Sequence, residues 1–265
     1  MQPDQSCNAA RTATLSVRHF PVSLFGSVAG VAWLALAWRR AGGIYADLAM
    51  LAHVLAVAAV LLFLLVAAGF YRKAVMHPAA ARDEFNSGTG TGFGMIGISM
   101  LLVARILGGY SVTLHLLAWG FGSMFFVVLS AATIFREGRS GSAGLARAWL
   151  MNGVGCCAIM YSAHTSAFGW AHDIKLLAGA AGIVSAGAAL VLSGSHRPLQ
   201  LARCALRSPL SWENGFALAV LTEAAGAYSV QPAATILLFL LTALVPILCV
   251  RTLSSFMTSD RNHHG

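Results

Sequence analysis

The chain has 265 residues, of which 58% are apolar and only 10% charged, with a mean hydropathy of +0.74. Soluble domains carry about 25% charged residues, so the composition argues against an ordinary soluble domain and predicts an all-α, polytopic membrane protein. The net charge of +8 calls for no nucleic-acid partner if the basic residues gather in loops on one side of a bilayer, where they set topology and meet anionic lipid.

A polar leader, 1–19, precedes the first apolar run. That run has no small-residue cleavage site, so it reads as a retained span rather than a signal peptide. Apolar stretches of the length a helix needs to cross a membrane follow at roughly 20–38, 44–70, 92–109, 111–135, 146–164, 174–193, 212–228 and 233–256. The runs are continuous rather than alternating, which favours helices over barrel strands. These eight spans form four hairpins within one transmembrane domain, 20–256, and the tail 257–265 is expected to be unstructured. The stretch 72–91 is the only extended connection, with a turn at His77-Pro78 and a Gly/Ser/Thr run unsuited to a helix. Its "GTGTGFG" lacks both a preceding strand and a following Lys, so no phosphate loop is assigned. The five cysteines have no metal-ligand spacing, and the histidines of the spans, His53, His115 and His164, share no helix face. No metal, no cofactor and no enzymatic activity are expected.

With both termini placed in the cytoplasm, only Arg39, Arg40, Arg105 and Lys175 of the 17 Lys and Arg fall on the outer side. That bias is what the positive-inside rule predicts, and the expected location is an inner membrane. The odd-numbered spans carry faces of small or polar residues: Ser23, Ser27 and Gly30 in the first, Gly94 and Gly97 in the third, Asn152 and Gly155 in the fifth. Such faces serve either close helix packing or the lining of a path, and their recurrence favours an inner ring of helices.

The seventh span contains Glu223. Trp212, Phe216, Ala219, Glu223 and Gly226 recur at helical spacing on one stripe, with Phe216 and Glu223 about 10 Å apart along the axis. A carboxylate at that depth costs roughly 2.5–3.5 kcal/mol and faces a bundle interior or a wet cavity. Arg105, near the outer end of the third span, reads as a snorkelling anchor, a partner for Glu223, or a positive charge offered to an anion.

Phe20-Pro21, Phe25-Gly26 and Ala37-Trp38-Arg39 in the first span, His77-Pro78 before the third, Trp212 followed by Phe216, and Arg251-Thr252 closing the last span together form a pattern. It resembles that of the tellurite-resistance/dicarboxylate transporter family, whose relatives include the slow-type anion channels. The resemblance implies a channel or transporter for small anions such as halide, nitrate, sulfite, tellurite or small carboxylates. It implies hairpins arranged around a central pore, with Phe216 as the pore gate, and homo-oligomers, trimers among them. Ser23, Gly30, Gly97, Asn152, Ala219, Gly226, Arg105 and Glu223 are the residues expected to line or couple that pore. The family pattern is ten helices in five hairpins, two helices more than are found here. Ala217 follows Phe216 where many members have Pro or Gly, and the acidic Glu223 is unusual in an anion path. The alternative is a degenerate, non-transporting subunit or scaffold of the same family.

Overall fold

In the computed structural model, residues 20–42, 49–86, 91–140, 142–163, 171–192 and 231–262 are described. Among them every regular element is helical. The helices are α1 (Leu24–Ala41), α2 (Ala49–Met76), α3 (Pro78–Asn86), α4 (Thr91–Leu107), α5 (Val112–Ser140), α6 (Ser142–Ser162), α7 (Ala171–Leu192) and α8 (Gln231–Asn262). Seven of the eight expected spans coincide with a long helix to within several residues. The remaining one, the seventh span at 212–228, lies outside the described residues.

Two expectations are corrected. The connection 72–91 is not an open loop: α2 runs on to Met76, and α3 fills most of the remainder. The residue before a proline is pushed out of the helical region, so α2 stops there. The Ala81 N–H then donates to the His77 carbonyl at 3.1 Å. Pro78 takes the first helical position, where it has no N–H to waste, and the alanines after it are strong helix formers. The second correction is at the C-terminus, where α8 continues through Asn262 and takes in most of the predicted tail.

Three antiparallel hairpins, α1–α2, α4–α5 and α6–α7, build the bundle. Helix α4 joins them by packing on α1 and α6, and α8 packs on α1. The turn between α4 and α5 shows how its sequence sets it: Gly108-Gly109 stop α4, and the Ser111 hydroxyl accepts the Leu114 N–H at 3.4 Å to start α5. Helix α1 is the central element. Nearly all of it is buried, except Arg39 and Arg40 in its last turn. Its backbone is tied to α4 by Ser99, whose hydroxyl lies 2.8 Å from the Phe25 carbonyl oxygen.

Helices α2 and α5 are built the opposite way. Met50–Met76 and Val112–Arg139 are each long and apolar enough to cross a membrane, yet only 22% and 17% of their most apolar windows are buried inside the chain. Leu61, Leu64 and Leu65 on α2, and Phe121, Phe125 and Val128 on α5, stand exposed. Helices α7 and α8 expose Ile183, Val184, Phe239 and Val250 in the same way.

The bundle has two distinct ends. At one, Lys73 is buried and donates to Glu84 Oε2 at 2.6 Å and to the Phe20 carbonyl at 2.8 Å. Glu84 Oε1 accepts the Val22 N–H at 2.9 Å. Arg136 stacks over the Phe85 ring, donates to the Phe85 carbonyl and pairs with Glu137. At the other end, Arg39, His53 and Tyr110 meet.

Candidate functional site

Of the expected pore residues, Phe216, Ala219, Glu223 and Gly226 lie outside the described residues, so the expected stripe and the Arg105–Glu223 pairing are not described. The others are placed as follows. Ser23 sits before the first turn of α1, exposed and making no side-chain cap. Gly30 is buried within α1.

Gly97 and Gly155 are both filled by one side chain. A Cβ at Gly97 would lie 2.6 Å from the Phe126 Cβ, and one at Gly155 would overlap the Phe126 ring. Phe126 of α5 is therefore wedged between α4 and α6, with 2% of its surface exposed. Asn152 is engaged in a similar way. Its Oδ1 accepts from Ser130 on α5 at 2.7 Å, and its Nδ2 donates to Ser185 on α7 at 2.7 Å. Here the small and polar residues of α4 and α6 serve helix-to-helix contact, the first of the two roles open to such faces.

Arg105 stands apart. It lies near the end of α4, its guanidinium 5.3 Å from the centroid of the Tyr161 ring on α6. Tyr161 in turn packs on Trp33 of α1, ring centroids 5.1 Å apart and tilted by 34°. Residues of the three inner helices thus converge near one end of the bundle. The Arg105 Nη1 and Trp33 Nε1 atoms are buried, and no acceptor among the described residues reaches either. A buried donor without a partner costs about 1–3 kcal/mol, more when it is charged. A guanidinium on an aromatic face recovers part of that through the ring quadrupole but keeps its N–H groups free to donate. Chemically, this arrangement suits a group that carries negative charge and accepts hydrogen bonds.

Trp33 and Tyr161 were not singled out in the sequence. Both sit among apolar neighbours, where an aromatic reads as core, and only their packing beside Arg105 in space sets them apart. Of the spans' histidines, His115 is buried with Nδ1 2.9 Å from the Ala104 carbonyl oxygen, and His53 Nδ1 lies 2.9 Å from the Tyr110 hydroxyl. His164 is outside the described residues. Among the described residues no group of His, Cys, Asp and Glu has the geometry of a metal site.

No protein-family model matches the chain, and no curated protein matches it.

Proposed function

We propose that this chain is a multi-pass membrane channel or transporter for small anions, with eight spans in four hairpins. The observation that carries this reading is Arg105: a guanidinium where α1, α4 and α6 converge, with a buried N–H that no acceptor among the described residues reaches. A fixed positive charge in a low-dielectric surround attracts anions far more strongly than one in water.

The membrane setting is supported by exposed apolar faces on α2, α5, α7 and α8. They exceed what a soluble monomer leaves uncovered, and lipid would cover them. The basic residues support an orientation. Lys73 and Arg136 meet α3 at one end, which the positive-inside rule makes the cytoplasmic one, leaving Arg105 near the outer end. In this reading Phe216 is the gate and Glu223 the proton-linked or structural carboxylate. The substrates are halide, nitrate, sulfite, tellurite or small carboxylates, the membrane is the inner one, and the protein assembles as a homo-oligomer. The family resemblance supports the gate, the substrates and the homo-oligomer, the basic-residue bias supports the membrane, and Glu223 is read from its place in an apolar span.

A second reading, a non-transporting subunit or scaffold, is favoured by one observation. Gly97, Gly155 and Asn152 face Phe126, Ser130 and Ser185, so three residues of the expected pore face are already occupied. Anion flux into proteoliposomes separates the two readings. The transport reading expects Arg105→Gln to lower flux at least tenfold, Arg105→Lys to retain part of it, and Phe216→Ala to raise it. A pure protein that passes no anion, even as Phe216→Ala, leaves the scaffold.

A further inference from the structure

At the end of the bundle that carries Tyr110, a cleft of about 160 Å³ opens between α1, α2 and the α4–α5 turn. Its floor is apolar: Ala35, Leu36, Ala52, Ala56 and Ile106, all of them buried. Its rim is polar and exposed: Arg39, His53 and Tyr110. The geometry points to a binding site for an anionic phospholipid, its phosphate at Arg39 and the start of one acyl chain on the apolar floor. The inference rests on the membrane reading above and is independent of whether the chain transports anything.

The rim is preorganised. The Arg39 guanidinium lies against Gly109, where a Cβ would overlap it, and 6.0 Å from the centroid of the Tyr110 ring. One of its N–H groups reaches the Ile106 carbonyl at 3.5 Å, a long contact for a hydrogen bond. A guanidinium has five N–H donors, so Arg39, exposed and engaged by this one long contact, is held in place with most of its donors still available. The Tyr110 hydroxyl and His53 Nδ1, 2.9 Å apart, fix each other beside it. An arginine that merely snorkels needs neither a glycine seat nor an aromatic beneath it.

The floor selects an amphiphile over a free ion. A volume of 160 Å³ is close to that of an engineered apolar cavity that stays dry and takes up benzene. It therefore receives an apolar segment about that size. Met50, Val54 and Val57 stand exposed beside His53 on α2, neighbours at helical spacing, so the cleft mouth continues into the face that lipid covers. Basic pockets between membrane helices bind phosphorylated head groups on the cytoplasmic side, and the same guanidinium–phosphate pairing is open to a lipid of the outer leaflet here.

The test uses the full chain purified in a neutral detergent. Lipid retention is read by native mass spectrometry and the unfolding midpoint by thermal scan. The additions are phosphatidylglycerol, phosphatidylcholine with the same chains, and inorganic phosphate. Wild type is expected to retain phosphatidylglycerol and to unfold at a higher temperature with it, while the other two additions do neither. Arg39→Gln, at an exposed position, is expected to fold and to lose about fivefold in phosphatidylglycerol affinity. Ala56→Leu fills the floor and is expected to lose lipid retention while leaving Arg39 in place. Equal retention of the two lipids by wild type overturns the headgroup assignment. An equal thermal shift from inorganic phosphate alone overturns the lipid assignment, and undiminished phosphatidylglycerol binding by Arg39→Gln overturns the site. Proteoliposome flux is unaffected by any of these outcomes, so the lipid site and the transport reading fail separately.

Discussion

Adding one methyl group at Gly155 tests whether the glycines of α4 and α6 are packing seats or the wall of a path. A Cβ there overlaps the Phe126 ring, and Phe126 has no room to retreat, because its own Cβ is where a Cβ on Gly97 would press from the other side at 2.6 Å. Overpacking a tight core costs about 1–3 kcal/mol, and a site closed on both sides belongs at the upper end. Against this, alanine is favoured over glycine inside a helix by about 1 kcal/mol. The difference leaves Gly155→Ala destabilised by about 2 kcal/mol. In a Phe126→Ala background the seat is vacant. That background itself costs about 3–5 kcal/mol, but the steric penalty of the second substitution vanishes while the helix propensity gain remains. Gly155→Ala is then expected to stabilise by about 1 kcal/mol, so the sign of its effect reverses between the two backgrounds. Thermal unfolding of the four proteins in detergent measures this, and anion flux per folded molecule is expected to be unchanged by Gly155→Ala. Destabilisation of equal size in both backgrounds would refute the packing argument, as would a change in flux without a change in stability.

Three further perturbations address the contacts between hairpins. Lys73→Met removes the cation that binds the Phe20 carbonyl and Glu84. Breaking a buried pair costs about 3–5 kcal/mol, and the 18% exposure of the Glu84 side chain places this one near about 3. Adding Glu84→Gln is expected to restore at least about 1 kcal/mol of that on thermal unfolding, because the amide oxygen still accepts the Val22 N–H and no charge is stranded. Asn152→Leu severs the links to Ser130 and Ser185; at roughly 0.6 kcal/mol per hydrogen bond in a membrane protein, with a ceiling near 1.7, a loss of about 1–2 kcal/mol is expected in an SDS titration. Trp38→Phe keeps the ring against Phe239 but loses the 3.1 Å bond to Thr242, the tie between α1 and α8. A loss of about 1 kcal/mol is expected in the same titration, and no loss would mean that this bond does not help to hold α8 on α1.

Where the helices lie was legible in the chain because hydrophobicity is a local property. A run such as Met50–Met76 is apolar whatever surrounds it, so its position was readable without knowing any neighbour. The paired reading of α1 with α2, α4 with α5 and α6 with α7 followed from the short connections. The sequence does not show α3: His77-Pro78 marks the break after α2, but the same proline is the first residue of a new helix. Nor does it mark the end of α8, which outlasts its apolar stretch at the C-terminus.

The candidate site was legible only in part. Arg105 stood out because a cation in an apolar run is conspicuous by composition alone. Its companions did not, since Trp33 and Tyr161 are ordinary members of apolar helices and lie far from Arg105 and from each other along the chain. The same limit explains Gly97, Gly155 and Asn152. Periodicity places small residues on one face of a helix, but it does not say which neighbour that face meets. That choice depends on the rotation and register of whole helices against one another, and Phe126 and Ser185 decide it through shape and hydrogen bonding. The sequence by itself determined an apolar, helical chain with its hairpins, its uneven charge and its conspicuous arginine. Only the tertiary structure decided which small residues are seats for other side chains, and which buried N–H groups no acceptor among the described residues reaches.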